Sequence, residues 1–192
     1  MMQKCPWALN DPYSESYHDE EWCIPHKDDT YLFEMLILEG AQAGLSWSTI
    51  LKRRAAYQET FFHFDLQKCA ALSDEQIDRI LETAPIIRNR RKVASVRKNA
   101  LAVLEIQKEF GSFADYLWAF TDGHPVINHW KSAEEMPAKS PLSEKVSRDL
   151  KKRGCAFVGP VIIYSFLQAA GMIDDHLITC PFHSSNKKRK QT

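Results

Sequence analysis

The stretch LKKRGCAFVGPVIIYSFLQAAG, residues 150–171, contains two apolar helical patterns separated by a short turn. The first helix is predicted to end at Gly154, and the second to begin at Gly159 and Pro160 and to end at Gly171, because proline suits the first helical position and glycine suits a helix end. Two helices joined in this way form a helix-hairpin-helix motif. Open amides at the start of the second helix can bind a phosphate without any side-chain charge.

Basic side chains lie near the mouth of this turn, at Lys151, Lys152 and Arg153. Two further basic clusters, residues 52–54 and 88–92, could add contacts to a phosphate backbone. Helical bundles commonly carry basic surface turns, so a solvated face is the alternative interpretation. The hairpin residues predicted to contact DNA are Lys152, Arg153, Gly154, Val158 and Gly159.

Apolar residues at helical spacing predict further helices over residues 30–40, 47–61, 89–110, 112–120 and 142–153. Ser46 is a predicted N-cap, Ser73 with Gln76 has the spacing of a capping box, and Gly111 is a predicted helix end. Prolines interrupt residues 122–141 and disfavour regular structure there. Because no alternating apolar pattern predicts a strand, we expect an all-α fold.

The composition limits the classes of protein. Residues 1–184 are predicted to form one domain, with room for two helical lobes around a central pocket, and residues 185–192 a basic, disordered tail. Lys and Arg together number 25 and equal Asp and Glu, so the formal charge of zero gives no overall attraction to nucleic acid. The chain lacks an apolar run of about 20 residues. We therefore expect a cytoplasmic monomer without membrane contacts.

The cysteine and histidine positions indicate a metal site. An odd count of five cysteines in a chain without an apolar leader argues against a disulfide framework. Cys5 and His18 lie near one end, and His176 and Cys180 lie near the other with a spacing that fits one helical turn. Two thiolates and two imidazoles suit tetrahedral zinc, although each residue alone is as compatible with a core or surface position. The cysteines interpreted as ordinary buried thiols are Cys23, Cys69 and Cys155.

One carboxylate and a group of aromatic residues are candidates for reading a base. Glu39 follows Leu32 by seven residues and therefore lies on the apolar face of its helix, where a carboxylate needs a partner or a purpose. The short turn after it carries Leu45, which is either an intercalating wedge or an ordinary contact between helices. The aromatic residues that offer stacking surfaces, or core positions, are Trp7, Tyr17, Trp22 and Trp47.

Taken together, the motifs Cys5-Pro6-Trp7, Tyr17-His18-Asp19, LEGAQAGLSW at 38–47, KKRG at 151–154, FVG at 157–159 and Asp175-His176 with Cys180 resemble those of the DNA-3-methyladenine glycosylase I family. The resemblance covers about the first 180 residues. It implies a helix-hairpin-helix DNA glycosylase fold and a base-excision repair enzyme. Such an enzyme flips 3-methyladenine out of alkylated double-stranded DNA, hydrolyses its N-glycosidic bond and releases the free base.

The resemblance also assigns roles to residues. It implies a zinc ion with a purely structural role, joining the two ends of the chain at Cys5, His18, His176 and Cys180. It implies a base pocket formed by Trp7, Tyr17, Trp22 and Trp47 around Glu39, the residue expected to act in catalysis. Gly44 and Leu45 would fill the gap left in the duplex.

Some residues depart from the family pattern. Ser14 stands where close relatives have a pocket tyrosine, and Ala41 replaces a common glutamine. Asp174 stands where the wider superfamily places a catalytic aspartate, and it is a candidate base, electrostatic stabiliser or helix cap beside the zinc, the cap being favoured. Val161 occupies the position of the nucleophilic lysine of bifunctional enzymes, so no lyase step is expected.

The expected mechanism rests on charge. Methylation at N3 leaves adenine with a positive ring, and an ionised Glu39 in a dry pocket would favour that ring over unmodified bases. Two alternatives remain at this point. One is a zinc-stapled module that binds DNA without catalysis, and the other is a glycosylase of different substrate range that uses Asp174 as its base.

Overall fold

The computed structural model describes residues 2–187, and over this range it contains eleven α-helices and one small sheet. The first six helices are α1 (Pro12–Glu20), α2 (Asp29–Gln42), α3 (Trp47–Leu51), α4 (Arg54–Thr60), α5 (Leu66–Ala70) and α6 (Asp74–Thr83). The others are α7 (Arg90–Phe110), α8 (Phe113–Trp118), α9 (Pro141–Lys152), α10 (Pro160–Ala169) and α11 (Ser184–Lys187). Short 3-10 turns cover Pro6–Asn10, Phe62–Phe64, Ala119–Thr121 and Ala133–Glu135.

Several helices begin and end where the sequence supplies a cap, as predicted. Ser46 accepts the backbone N–H of Thr49 at 3.2 Å and starts α3. Ser73 and Gln76 form a reciprocal capping box at the start of α6. Gly111 ends α7 with φ +91°, a conformation that a side chain disfavours.

One predicted helix is divided in two, and one predicted irregular segment contains a short strand. Residues 47–61 are not one helix, because the backbone of Arg53 leaves the helical conformation (φ −109°, ψ 1°) between α3 and α4. Residues 122–141 are mostly irregular, as predicted, but they contain a two-residue strand, β1 (Val126–Ile127), which pairs in parallel with β2 (Ile173–Asp174). The partner strand is distant in sequence, so no local pattern could show the pairing.

Helix α2 lies at the centre of the protein, and ten of its fourteen residues are buried. It packs against α7 and α10, and the hairpin between α9 and α10 lies close to its C-terminal half. A Cβ atom on Gly40 would lie 3.1 Å from the Cβ atom of Phe157 in the hairpin, a tight contact that glycine avoids. Helix α2 therefore contacts the hairpin at Gly40 and fixes the position of the residues that follow Gly40 in the chain.

The C-terminal end of the described chain is the short helix α11, which continues past the predicted domain boundary at residue 184. The remainder of the predicted disordered tail, residues 188–192, lies outside the described residues, as does residue 1. Over the described range, no helix has the length and apolar character needed to cross a bilayer.

Candidate active site and metal centre

A cavity of about 360 Å³ opens between α1, the C-terminal half of α2, the start of α3 and α10. The residues predicted to read a base all line it, namely Trp7, Tyr17, Trp22, Glu39 and Trp47. Ser14, one of the departures from the family pattern, also lines the wall and donates to Asp11 at 2.8 Å. The small hydroxyl at this position leaves the cavity space that a tyrosine would fill.

The aromatic walls are held by edge-to-face contacts. The rings of Trp7 and Trp22 meet at 4.9 Å between centroids and 84°, and those of Tyr17 and Trp47 at 5.2 Å and 62°. The Tyr17 hydroxyl and the Trp47 Nε1 are buried, and neither has a hydrogen-bond partner within the described chain. Unpaired buried donors are rare in folded proteins, so these two atoms are available to acceptors on a water molecule or a ligand.

Glu39 lies in this cavity and is only 4% exposed. No group in the described part of the chain donates a hydrogen bond to its carboxyl, and burial raises its pKa to about 8. Burial therefore favours the protonated carboxyl in the empty pocket at neutral pH. The expectation of an ionised Glu39 refers to the pocket with a cationic base beside it, and it stays a prediction. A positive charge brought beside it would favour loss of that proton.

A smaller cavity of about 170 Å³ adjoins the first and shares Glu39 with it. The turn after α2 forms one side, where Gly44 adopts φ +80° and Leu45 is 40% exposed. Lys92 holds this turn by donating to the carbonyl oxygens of Ala41 and Ala43 at 2.8 and 2.7 Å. Leu45 thus lies exposed at the mouth of the site, whereas Lys92 is turned inward and is a poor candidate for a phosphate contact.

The hairpin between α9 and α10 is held by buried polar side chains. Asn99 on α7 accepts the N–H of Ala156 at 2.8 Å and donates to its carbonyl oxygen at 3.1 Å. Ser147 donates to the carbonyl oxygen of Val158 at 2.6 Å. The side chain at Gly159 is absent, so nothing caps the first amides of α10. These amides are open to an anion, and phosphate binding there stays a prediction.

Arg153 was predicted to contact DNA, yet its guanidinium is already bound within the protein. It pairs with Glu109 at 2.6 Å and Asp149 at 2.8 Å and lies over the rings of Phe110 and Tyr116. Its neighbour Lys152 is exposed at the end of α9. The structure therefore favours a packing role for Arg153 and leaves the lysine facing solvent.

Four buried side chains from the two ends of the chain meet beside this cavity, at Cys5, His18, His176 and Cys180. The Nδ1 atom of His176 lies 3.2 Å from the Nε2 atom of His18, and 3.8 Å from the Cys5 sulfur. The Cys180 sulfur lies 3.5 Å from the His18 nitrogen and 3.6 Å from the His176 nitrogen. The predicted ligands are thus within reach of one ion.

These distances fit a tetrahedral metal site. Zn–N bonds of about 2.0 Å and Zn–S bonds of about 2.3 Å give N–N edges near 3.3 Å and N–S edges near 3.5 Å. Asp19 bonds the Nδ1 of His18 at 2.8 Å and so aims Nε2 at the cluster. The pKa of the Cys180 thiol is lowered, because Cys5 first and then the two histidines stabilise its thiolate. The cluster could therefore hold a metal ion.

The spacing of His176 and Cys180 does not reflect a helical turn, and that interpretation was wrong. The two residues lie in an irregular segment, where the N–H of Cys180 donates to the carbonyl oxygen of Leu177 at 2.8 Å. Pro181 follows directly and has no N–H to continue a helix. A turn brings the two ligands together instead.

Asp174 lies on the metal side of the protein rather than in the cavity. It is 2% exposed, accepts the N–H of His176 at 3.1 Å, and accepts both the N–H and the hydroxyl of Ser184. These contacts fix the segment that carries His176 and the start of α11. They favour the helix cap among the three roles considered for Asp174.

Sequence reasoning missed the contacts of another carboxylate, Asp175, which is fully buried. It accepts hydrogen bonds at 2.5–2.7 Å from four side chains, those of Asn128, Trp130, Tyr164 and Gln168. Gln168 and Met136 line the cavity as well. The only sequence signal was the Asp175-His176 pair, because the donors lie 7 to 47 positions away.

Comparison with known proteins identifies the family. The model of the methyladenine glycosylase family matches residues 7–184. DNA-3-methyladenine glycosylase 1 of Escherichia coli (strain K12) is 41% identical over 186 residues, covering 97% of this chain and 100% of that protein.

Two solved structures are also similar, each with a TM-score of 0.91. One is a crystal structure of a 3-methyladenine DNA glycosylase I, 44% identical, covering 94% of this chain and all of that one. The other is a variant 3-methyladenine DNA glycosylase I in complex with 3-methyladenine, 38% identical, covering 95% and 98%. The match extends over nearly the whole chain, and the chain belongs to the methyladenine glycosylase family.

Proposed function

We propose that this protein excises 3-methyladenine from alkylated double-stranded DNA by hydrolysing the N-glycosidic bond, without a lyase step. The observation that carries the proposal is Glu39, a buried carboxyl that receives no hydrogen bond from residues 2–187, in a cavity walled by aromatic rings. The relatives named above are 3-methyladenine glycosylases, and one similar structure holds the free base. A DNA repair N-glycosylase is the function that fits both.

The proposed catalysis depends on the positive charge of the damaged base. A base methylated at N3 is a good leaving group, so recognition supplies most of the rate. In the empty pocket the pKa of Glu39 is about 8, and a cation beside it lowers that value. The carboxyl then gives up its proton and pairs with the base. Unmodified bases bring no charge and leave the carboxyl unpaired and protonated.

Other groups position the base and the DNA. The rings of Trp47 and Tyr17 pack against the face or the edge of the base. The Tyr17 hydroxyl and the Trp47 Nε1 donate hydrogen bonds to its acceptor atoms. Leu45 enters the space that the flipped nucleotide leaves. The open amides of α10, with Lys152 beside them, hold a backbone phosphate. Val161 offers no amine, so water receives the sugar.

We further propose that the buried cluster binds Zn²⁺. Cys5, His18, His176 and Cys180 would hold it, and four protein ligands fill a tetrahedral shell. The ion would cross-link the N-terminal and C-terminal segments that carry its ligands. It would also support the 3-10 turn Pro6–Asn10, which carries the cavity residue Trp7. The residues of the cavity, rather than the metal, carry the chemistry.

The test is to measure bases released from duplex DNA methylated at purine N3, by chromatography, together with the metal content of the same sample. The wild-type protein should release 3-methyladenine, and Glu39→Gln should release it at least tenfold more slowly, as expected for loss of a charge-assisted contact of roughly 1.5–3 kcal/mol. Glu20→Gln, at the exposed end of α1, is the matched control. Intact DNA binding without any released base would support a non-catalytic binding module instead.

A further inference from the structure

Asp175 lies between the metal cluster and the cavity, and its contacts have no part in the catalysis proposed above. It is fully buried and precedes the metal ligand His176. Its Oδ1 accepts from Asn128 and Trp130, and its Oδ2 accepts from Tyr164 and Gln168. A carboxylate only accepts hydrogen bonds, so all four partners must present donors to it.

This requirement fixes the amide of Gln168. Its Nε2 donates to Asp175 at 2.6 Å, and the Sδ atom of Met136 lies 3.8 Å from the same nitrogen. The side chain lines the cavity. Within the described chain no group donates to its Oε1, so the amide oxygen is the polar atom of Gln168 that remains for a ligand. If the amide were reversed, an oxygen would face the carboxylate.

We propose that Asp175 is a positioning residue that orients Gln168 so that its Oε1 presents a hydrogen-bond acceptor to the bound base. Because it names a determinant of base choice in the same pocket, the inference rests on the function proposed above. Gln168 is then a specificity-determining residue. Its Oε1 accepts a hydrogen bond from a base that carries an exocyclic amino group. In a base that carries an oxo group at the same position, two oxygen atoms would face each other, which is unfavourable.

The chemistry predicts a clear direction of preference. Adenine-type bases carry an amino group at position 6, whereas hypoxanthine- and guanine-type bases carry an oxygen. A fixed acceptor gains a hydrogen bond with the former and loses its solvation without compensation with the latter. A freely rotating amide could present Nε2 to the oxygen and would tolerate both. Asp175 removes that freedom by occupying Nε2.

The experiment compares the affinities of free 3-methyladenine and free 3-methylhypoxanthine, which carry an amino and an oxo group at position 6, for wild-type protein, Gln168→Leu and Asp175→Asn. The wild-type protein should prefer the amino base, and both variants should lower the ratio of the two affinities by about tenfold. The ratio is informative because general loosening of the pocket weakens both bases together. Zinc content and melting temperature of each variant show whether the chain remains folded.

The double variant Gln168→Glu/Asp175→Asn keeps an acceptor at position 168 and avoids repulsion between two carboxylates. It should therefore retain the preference for the amino base. An unchanged ratio in Gln168→Leu would overturn the role of Gln168. A lowered ratio in Gln168→Leu with an unchanged ratio in folded Asp175→Asn would overturn the positioning role of Asp175. Failure of the wild-type protein to release 3-methyladenine from DNA would instead contradict the proposed function.

Discussion

Replacing Glu39 with Gln should stabilise the protein, and the gain should grow as the pH rises from 5 to 8. The pKa of this carboxyl is raised from 4.5 to about 8 because burial penalises its charged form. In the unfolded chain the carboxyl loses its proton above about 4.5, whereas in the folded chain it keeps the proton up to about 8. The folded state therefore loses stability over this interval, and above it the loss is complete. Glutamine has no proton to lose.

The size of the effect follows from the pKa values. Each pKa unit corresponds to about 1.4 kcal/mol, so the full penalty above pH 8 is about 5 kcal/mol. At pH 5 most of it is absent, because the unfolded carboxyl is only partly ionised. Between pH 5 and pH 8 the free energy of unfolding of Glu39→Gln should therefore rise by about 3.5 kcal/mol relative to that of the wild-type protein.

Denaturant unfolding at pH 5, 6, 7 and 8 measures this difference directly. Metal ligands and other ionisable groups are the same in both proteins, so their pH dependence cancels when the two are subtracted. Glu20→Gln is the control, because its side chain faces water in the folded and unfolded chain alike and its difference from wild type should stay constant. A difference for Glu39→Gln that does not change with pH would refute the conclusion that burial keeps this carboxyl protonated.

Other substitutions test separate parts of the structure. Cys180→Ser should lose bound zinc and have a lower melting temperature. Cys155→Ser, away from the cluster, should keep one equivalent of zinc by metal analysis. A full equivalent of zinc in Cys180→Ser would contradict the metal assignment. Gly40→Ala should lower the free energy of unfolding by about 1–3 kcal/mol, because the added methyl crowds the hairpin. Gly159→Ala, whose methyl would meet no atom within 4 Å, is its control in the same denaturation series. Leu45→Ala should slow base release from duplex DNA without a change in melting temperature, since the side chain is 40% exposed, and an unchanged rate would rule out a wedge.

The helices that sequence predicted correctly are those with local signals. Caps at Ser46 and Ser73 and the helix end at Gly111 depend on residues within four positions of one another. The break between α3 and α4 has no such signal. There the side chain of Arg54 reaches Glu21 and Glu34, which lie 33 and 20 positions away.

The same distinction applies to the candidate site. Glu39 could be picked out because a carboxylate on an apolar helix face is visible in the spacing. The resemblance to a family was needed to join the four metal ligands. The roles of Asn99 and Asp175 could not be predicted, since each acts through hydrogen bonds to residues distant in sequence. Arg153 shows the converse, because a basic residue at a hairpin mouth turned out to be neutralised by two acidic partners.

The metal cluster also has a consequence for how the chain is made. Cys5 and His176 are separated by 171 positions, so the two halves of the cluster leave the ribosome at widely separated times. The set of four ligands is incomplete until Cys180 has been synthesised. A chain that stops before Cys180 would keep only three of them. The proposed zinc binding would then distinguish chains that contain Cys180 from chains that stop before it, and closure of so long a loop would stabilise only the former.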